Sequence, residues 1–155
     1  VKLIDLYSEQ WKQDYLAFED LRDLKPDSTV LASQLEIDKA DEIVLVCPVW
    51  WVSVPAVMKN WFDQTFTSGY AFRYSKDGKP EGLLKGKTSR IFMTAGGPGY
   101  IYLVAKHIMM IPLTKGLFGF CGIKTKSYDV FANRNTPVID PIEPVLEKVK
   151  RRAQS

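Results

Sequence analysis

Ile43-Val44-Leu45-Val46-Cys47 is an unbroken apolar run rich in β-branched residues, and it predicts a buried strand over Glu42 to Cys47. A second run predicts a strand over Thr88 to Thr94, with Ile91 and Met93 on one face and Phe92 on the other. Val1 to Leu6 and Lys124 to Phe131 read as two more strands. Between the strands the period lengthens. Asp27 or Ser28 caps a predicted helix running to about Lys39, with Val30, Leu31, Leu35 and Ile37 on its buried side. Val54, Val57, Met58, Trp61, Phe62 and Phe66 give the next helix one wide apolar face. Ile101, Val104, Ile108 and Met109 mark a third helix, which Pro112 must end or kink. Leu113 to Gly122 reads as a further helical piece closing on a glycine, and Glu143 to Arg152 as the last helix. Ser8 to Lys25 reads as loop with a short helix, and Thr67 to Lys87, studded with Gly69, Gly78, Pro80, Gly82 and Gly86, as one long loop. Strands alternating with helices predict an α/β fold, a mostly parallel sheet covered on both faces, as a single domain over residues 1–155.

Composition agrees with that picture and narrows it little. A hydrophobic share of 46% beside 25% charge belongs to a folded globular chain and excludes a disordered one. The net charge of +3 is mild and its basic residues are scattered, so no nucleic-acid stripe is expected. Lys148, Lys150, Arg151 and Arg152 form the one cluster and read as a solvated helix end. Cys47 and Cys121 sit inside apolar runs as small buried hydrophobes of a reducing compartment. Ile101 to Cys121 comes closest to a membrane span, but Lys106, His107, Pro112 and Lys115 interrupt it. No signal peptide is expected, so the default reading is cytoplasmic, and no metal-ligand spacing is present.

Two loops carry candidate chemistry. Pro48-Val49-Trp50-Trp51-Val52 follows the first buried strand, where open α/β sheets hold their ligands. The adjacent tryptophans point to opposite sides if extended, so they read either as core or as a wall beside a planar ring. Thr94-Ala95-Gly96-Gly97-Pro98-Gly99 joins a strand to a helix, and its glycines allow a ligand close to the backbone. It fits neither the G-x-G-x-x-G nor the P-loop spacing, and a plain tight turn is the alternative.

Together Pro48 to Ala56 with Lys59, Trp61, Phe62 and Asp63, the block Gly69-Tyr70-Ala71-Phe72-Arg73-Tyr74, the Thr94 to Gly97 turn and Phe120-Cys121-Gly122 resemble the NAD(P)H:quinone oxidoreductase family of flavoproteins, in order and spacing over nearly the whole chain. The resemblance implies a flavodoxin-like doubly wound parallel sheet, bound FMN or FAD, NAD(P)H as electron donor, and a homodimer with its site at the subunit interface. It implies that Pro48, Val49, Trp50, Trp51 and Val52 lie along the flavin ring, while Thr94, Ala95, Gly96 and Gly97 offer backbone donors to its polar edge. Phe72 and Tyr74, contributed across the dimer, and Tyr100 would wall the substrate pocket. Tyr102 matches a tyrosine that some family members place near the flavin carbonyl edge. His107 falls one residue short of their histidine, and is either a proton partner or an exposed helix histidine. The family opens with a strand, a phosphate loop and a helix that have no counterpart here, since Val1 to Tyr7 resembles the family's second strand. The expectation is a natural polypeptide with residues ahead of Val1.

The expected function is therefore two-electron reduction of quinones or similar small aromatic acceptors. The alternative is a regulatory or ancillary subunit that uses the same fold to bind a partner such as a transporter. An electron carrier is disfavoured, because such carriers are acidic and the pI here is about 8.8.

Overall fold

A computed structural model describes residues 1–17, 25–132 and 142–154. Helix α1, Ser28–Lys39, starts where Asp27 accepts a hydrogen bond from the Val30 N–H at 2.7 Å, a side-chain cap for an otherwise orphaned donor. Its covered face is Val30, Ser33, Gln34 and Ile37, whereas Leu31 and Leu35 are exposed, contrary to expectation. The reason lies on the next helix. Ser33 Oγ accepts from Trp61 Nε1 at 3.1 Å, and Gln34 Nε2 donates to the Thr65 carbonyl at 3.0 Å. Paired polar groups made this face cheaper to bury than its neighbour.

Strand β1, Glu42–Pro48, is followed by α2, Ala56–Thr65, for which Pro55 serves as the N-cap. Met58, Trp61, Phe62 and Phe66 are buried as the periodicity requires. The predicted long loop contains an antiparallel hairpin, β2, Phe72–Tyr74, and β3, Pro80–Gly82. Gly78, at φ +74°, turns it, and Arg73 bonds Glu81 across it at 2.8 Å. Gly82 lies so close to the next layer that an added Cβ would stand 2.3 Å from the Cys121 carbonyl carbon.

Strand β4, Thr88–Thr94, leads to α3, Gly99–Ile111, and this helix does not stop at Pro112. It continues as a π-helix, Pro112–Gly119, with i→i−5 bonds such as Phe120 N–H to the Lys115 carbonyl at 3.1 Å. The wider register accommodates a residue with no N–H, so proline changes the winding without breaking the rod. Gly122, at φ +88°, closes the segment as expected. Gly99–Gly119 is thus one helical stretch of 21 residues with mean hydropathy 1.2, long and apolar enough by length and composition to cross a bilayer, where interruption was expected. Here Met109, Met110, Leu113 and Phe118 bury one side of it in the core. Strand β5, Lys124–Phe131, and helix α4, Glu143–Ala153, complete the described elements.

The sheet has the order β1-β4-β5, all parallel. Ile43, Leu45 and Cys47 of β1 and Ile91 and Met93 of β4 pack one face against α2 and the α3–π rod. Phe118, fully buried, meets Phe62 and Phe66 edge-on at 6.4 and 6.1 Å. On the other face Phe92 is covered and stacks on Phe131, while Val44 and Val46 of β1 stand exposed. The strand expected to be buried on both sides is therefore at the edge of the described sheet, with one open face. Val1 to Leu6, predicted as a strand, pairs with no strand among the described residues and is irregular. A strand needs a ladder partner for its backbone groups, and none is offered within the described sheet. Residues 1–17 are instead held by packing, Trp11 buried and Ile4 and Leu6 against the core, and at their far end by Asn60, which accepts from the Leu16 N–H and donates to the Asp14 carbonyl, both at 3.1 Å.

Candidate cofactor site at the carboxyl edge of the sheet

β1 and β4 end in register, Pro48 beside Thr94, so the loops that follow them emerge side by side. The Val49 N–H donates to the Thr94 carbonyl at 2.7 Å and ties the two together. Trp50 and Ser53 then exchange two backbone bonds of 2.9 Å, closing a two-residue turn with Trp51 and Val52 at its tip. Both tip residues are left-handed, Trp51 at φ +49° and Val52 at φ +59°. This conformation costs an L-residue about 1–2 kcal/mol, and a β-branched one is a true outlier there. Asparagine and glycine normally fill such turns. Neither tryptophan enters the core: Trp51 is 99% exposed and Trp50 54%. The chain bears strain to hold a large flat side chain out in solvent, and strain of this kind collects at ligand sites.

The glycine turn follows β4 beside that loop. The Ala95 N–H is committed to the Phe131 carbonyl at 2.8 Å and Ala95 itself is buried, so it is not among the ligand donors that the resemblance implies. The N–H groups of Gly96 and Gly97, by contrast, have no acceptor among the described residues. The Tyr102 ring folds back from the first turns of α3 over Gly97, where an added Cβ would lie 3.1 Å from the hydroxyl. Gly97 is needed for closeness and not for a special φ. An apolar wall, two free N–H donors and a phenol thus share one edge. These residues suit a planar heteroaromatic ring whose rim carries acceptors.

Below the tryptophan turn, between α2 and the α3–π rod, lies a cavity of about 280 Å³. Val52, Val54, Phe62, Met93, Met109 and Leu113 line it, with the Lys59–Asp63 ion pair at its rim, 2.7 Å between Nζ and Oδ2.

The remaining candidates lie elsewhere in the single chain. Phe72 and Tyr74 cluster with Phe120 on the hairpin side, Phe72 at 4.9 Å from Phe120. Tyr100 is 72% exposed on the outward side of α3. His107 is exposed, and its Nδ1 lies 2.9 Å from the Tyr128 hydroxyl. Tyr128 pairs with Ile91, three residues short of the sheet edge, so His107 is anchored below the glycine turn. Tyr128, which holds His107, lies in no motif that would have singled it out, and Ser53, which closes the tryptophan turn, lies within the Pro48 to Ala56 block without a role read for it. The two thiols take no part. Burial pushes Cys47 and Cys121 up to about 11, which keeps both protonated at neutral pH. Among the described residues no group of His, Cys, Asp and Glu could hold a metal ion.

Comparison with known proteins sets this edge in a family. The chain is similar to NAD(P)H dehydrogenase [quinone] 1 of Rattus norvegicus, 29% identical over 146 residues, which cover 90% of this chain and 52% of the relative. It is 33% identical over 126 residues to the FMN-dependent NADH:quinone oxidoreductase of Acidobacterium capsulatum, covering 76% of this chain and 60% of that one. The chain thus spans about half the length of the curated relatives it matches. Among solved structures, the NAD(P)H:quinone oxidoreductase of Methanothermobacter marburgensis shares the fold at a TM-score of 0.76 and 21% identity, over 98% of this chain and 79% of that one. A family model described as the flavodoxin-like fold matches residues 1–155, and the chain belongs to that flavodoxin-like family.

Proposed function

We propose that this chain forms the ring-binding part of a flavin-dependent NAD(P)H oxidoreductase that reduces quinones or similar small aromatic acceptors. The observation that carries the reading is the strained Trp51–Val52 turn on the loop beside the glycine turn, where the Gly96 and Gly97 N–H groups have no acceptor among the described residues. FMN is favoured over FAD, since the relative from Acidobacterium capsulatum is named FMN-dependent. When bound, the flavin supplies two-electron hydride chemistry. The protein's part is to bind and orient. Pro48, Val49, Trp50, Trp51 and Val52 exclude water from the ring. The Gly96 and Gly97 N–H groups would donate to the ring's acceptor rim, where preorganised donors would stabilise the negative charge of the reduced state. The Tyr102 hydroxyl, which lies over Gly97, would hold a proton at the same rim.

The acceptor pocket is completed by a second copy. Phe72 and Tyr74 form an aromatic group with Phe120 on the hairpin side, in which Tyr74 is exposed and the two phenylalanines are half-buried. Meanwhile Tyr100, Leu103, Val104, Ile108 and Ile111 form an uncovered apolar stripe down α3, between 59% and 72% exposed. A stable interface takes about 800 Å² from each partner, and a continuous apolar stripe of this kind suits one. The reading is tested on purified protein given FMN or FAD. A flavin absorbance that bleaches with NAD(P)H and returns with a quinone is the expected result. A protein that takes up neither flavin and oxidises no NAD(P)H overturns it and favours an ancillary binding role.

A further inference from the structure

The amino ends of the strands carry a second, polar cleft. It encloses about 310 Å³ and is lined by Arg90, Lys124, Thr125, Lys126, Ser127 and Arg152. Its shape comes from a bulge. Ser89 pairs with Thr125 but Arg90 pairs with Ser127, so Lys126 is the extra residue. Bulges are rare between parallel strands and serve to re-aim a side chain. Here the re-aimed Lys126 reaches across β4 to Glu42 at 2.9 Å, on the carboxylate that also receives Arg90 Nε at 3.0 Å. One carboxylate is shared by two cations, while Lys124 has no acidic partner among the described residues. Arg90 is 97% buried, 3% being exposed, and Arg90 and Arg152 make further contacts of their own. Ser127 is nine-tenths buried, and its Oγ has no hydrogen-bond partner among the described residues. A buried hydroxyl without a partner is costly, and one lining a cationic cleft invites an acceptor.

We propose that this cleft binds a phosphate-type oxyanion, free or as a monoester, through Lys124, Lys126 and the Ser127 hydroxyl, with Arg90 supplying a buried positive field behind them. Such an anion has enough acceptor oxygens to take the hydroxyl and both ammonium groups at once, which chloride has not. Glu42 stays ionised beside it. Burial works against that ionisation, but the bonds from Lys126, Arg90 and Thr88 outweigh it and hold the carboxyl below its usual range. The cleft lies roughly 20 Å along the strands from the tryptophan and glycine loops, so it is not part of the ring site. It does not rest on the flavin reading.

The test is thermal unfolding of the full chain in inorganic phosphate against chloride at matched ionic strength. Phosphate at tenfold excess over its Kd should raise Tm by about 4 °C. Lys124→Gln, which breaks no ion pair, and Lys126→Gln should each weaken phosphate about tenfold without loss of the folded state. Glycerol phosphate that binds as well as the free ion supports the site and assigns a monoester; a much weaker response supports it and assigns free phosphate. An equal shift in chloride, or a full phosphate shift kept in both variants, means an adventitious ion only and overturns the proposal.

Discussion

At the scale of single residues, the edge of the sheet is defined by two backbone choices that run against local preference. Val52 holds φ +59° with more than half its side chain in solvent, so little burial offsets the strain. Val52→Gly should therefore stabilise the fold by about 1 kcal/mol in urea unfolding while flavin retention falls, because the wall is shortened. A variant less stable than the parent would show that the turn is not strained. Gly97 makes the opposite demand. Gly97→Val would press on the Tyr102 hydroxyl, which can swing aside, and would fill the space in front of the free N–H groups. The expected outcome is a folded protein that no longer retains flavin; a yellow variant would remove Gly97 from the site.

At the scale of elements, polar interlocks and close backbone approaches decide which faces meet. The hairpin β2–β3 is docked through Gly82, whose missing Cβ lets the chain lie against Cys121 and Gly122, and through the Leu84 N–H donating to the Cys121 carbonyl at 2.9 Å. Gly82→Ala places a methyl 2.3 Å from backbone that cannot swing away. It should cost about 1–3 kcal/mol in chemical unfolding and loosen the Phe72–Tyr74–Phe120 cluster. An unchanged midpoint would mean that the hairpin is not seated there. Much of this level is visible in the residue pattern: α2, β4, β5 and the cap of α1 lie where periodicity and Asp27 put them. The hairpin inside the glycine-rich loop is not, because three-residue strands are too short for alternation to register. Nor is the choice of Ser33 and Gln34 over Leu31 and Leu35, which depends on Trp61 and Thr65 some thirty residues away.

At the scale of the whole molecule, the apolar side of α3 that faces outward is a continuous surface left uncovered among the described residues. If a second copy covers it, Ile108→Glu buries a charge at the contact and should turn a dimer into a monomer by sedimentation, with turnover on quinone lost before flavin. A dimer that persists would place the interface elsewhere. The stretch Gly99–Gly119 shows how far a linear reading reaches. Its apolar residues are plain in the sequence, but whether they pack inward, pair with a copy or meet lipid is set by neighbours. The sequence by itself determined the order of strands and helices, because burial repeats every two or every three to four residues and leaves that rhythm in the chain. It also contained the aromatic and glycine blocks that tie the chain to its family. Only the tertiary structure decided that Trp51 and Val52 turn left-handed, that Ala95 is spent on β5 while Gly96 and Gly97 stay free, and that β1 is an edge. The pairing of Ala95 and the place of β1 depend on which distant backbone group arrives as a hydrogen-bond partner, and the turn on Trp50 and Ser53 closing against the usual residue preference, which no local pattern of residues records.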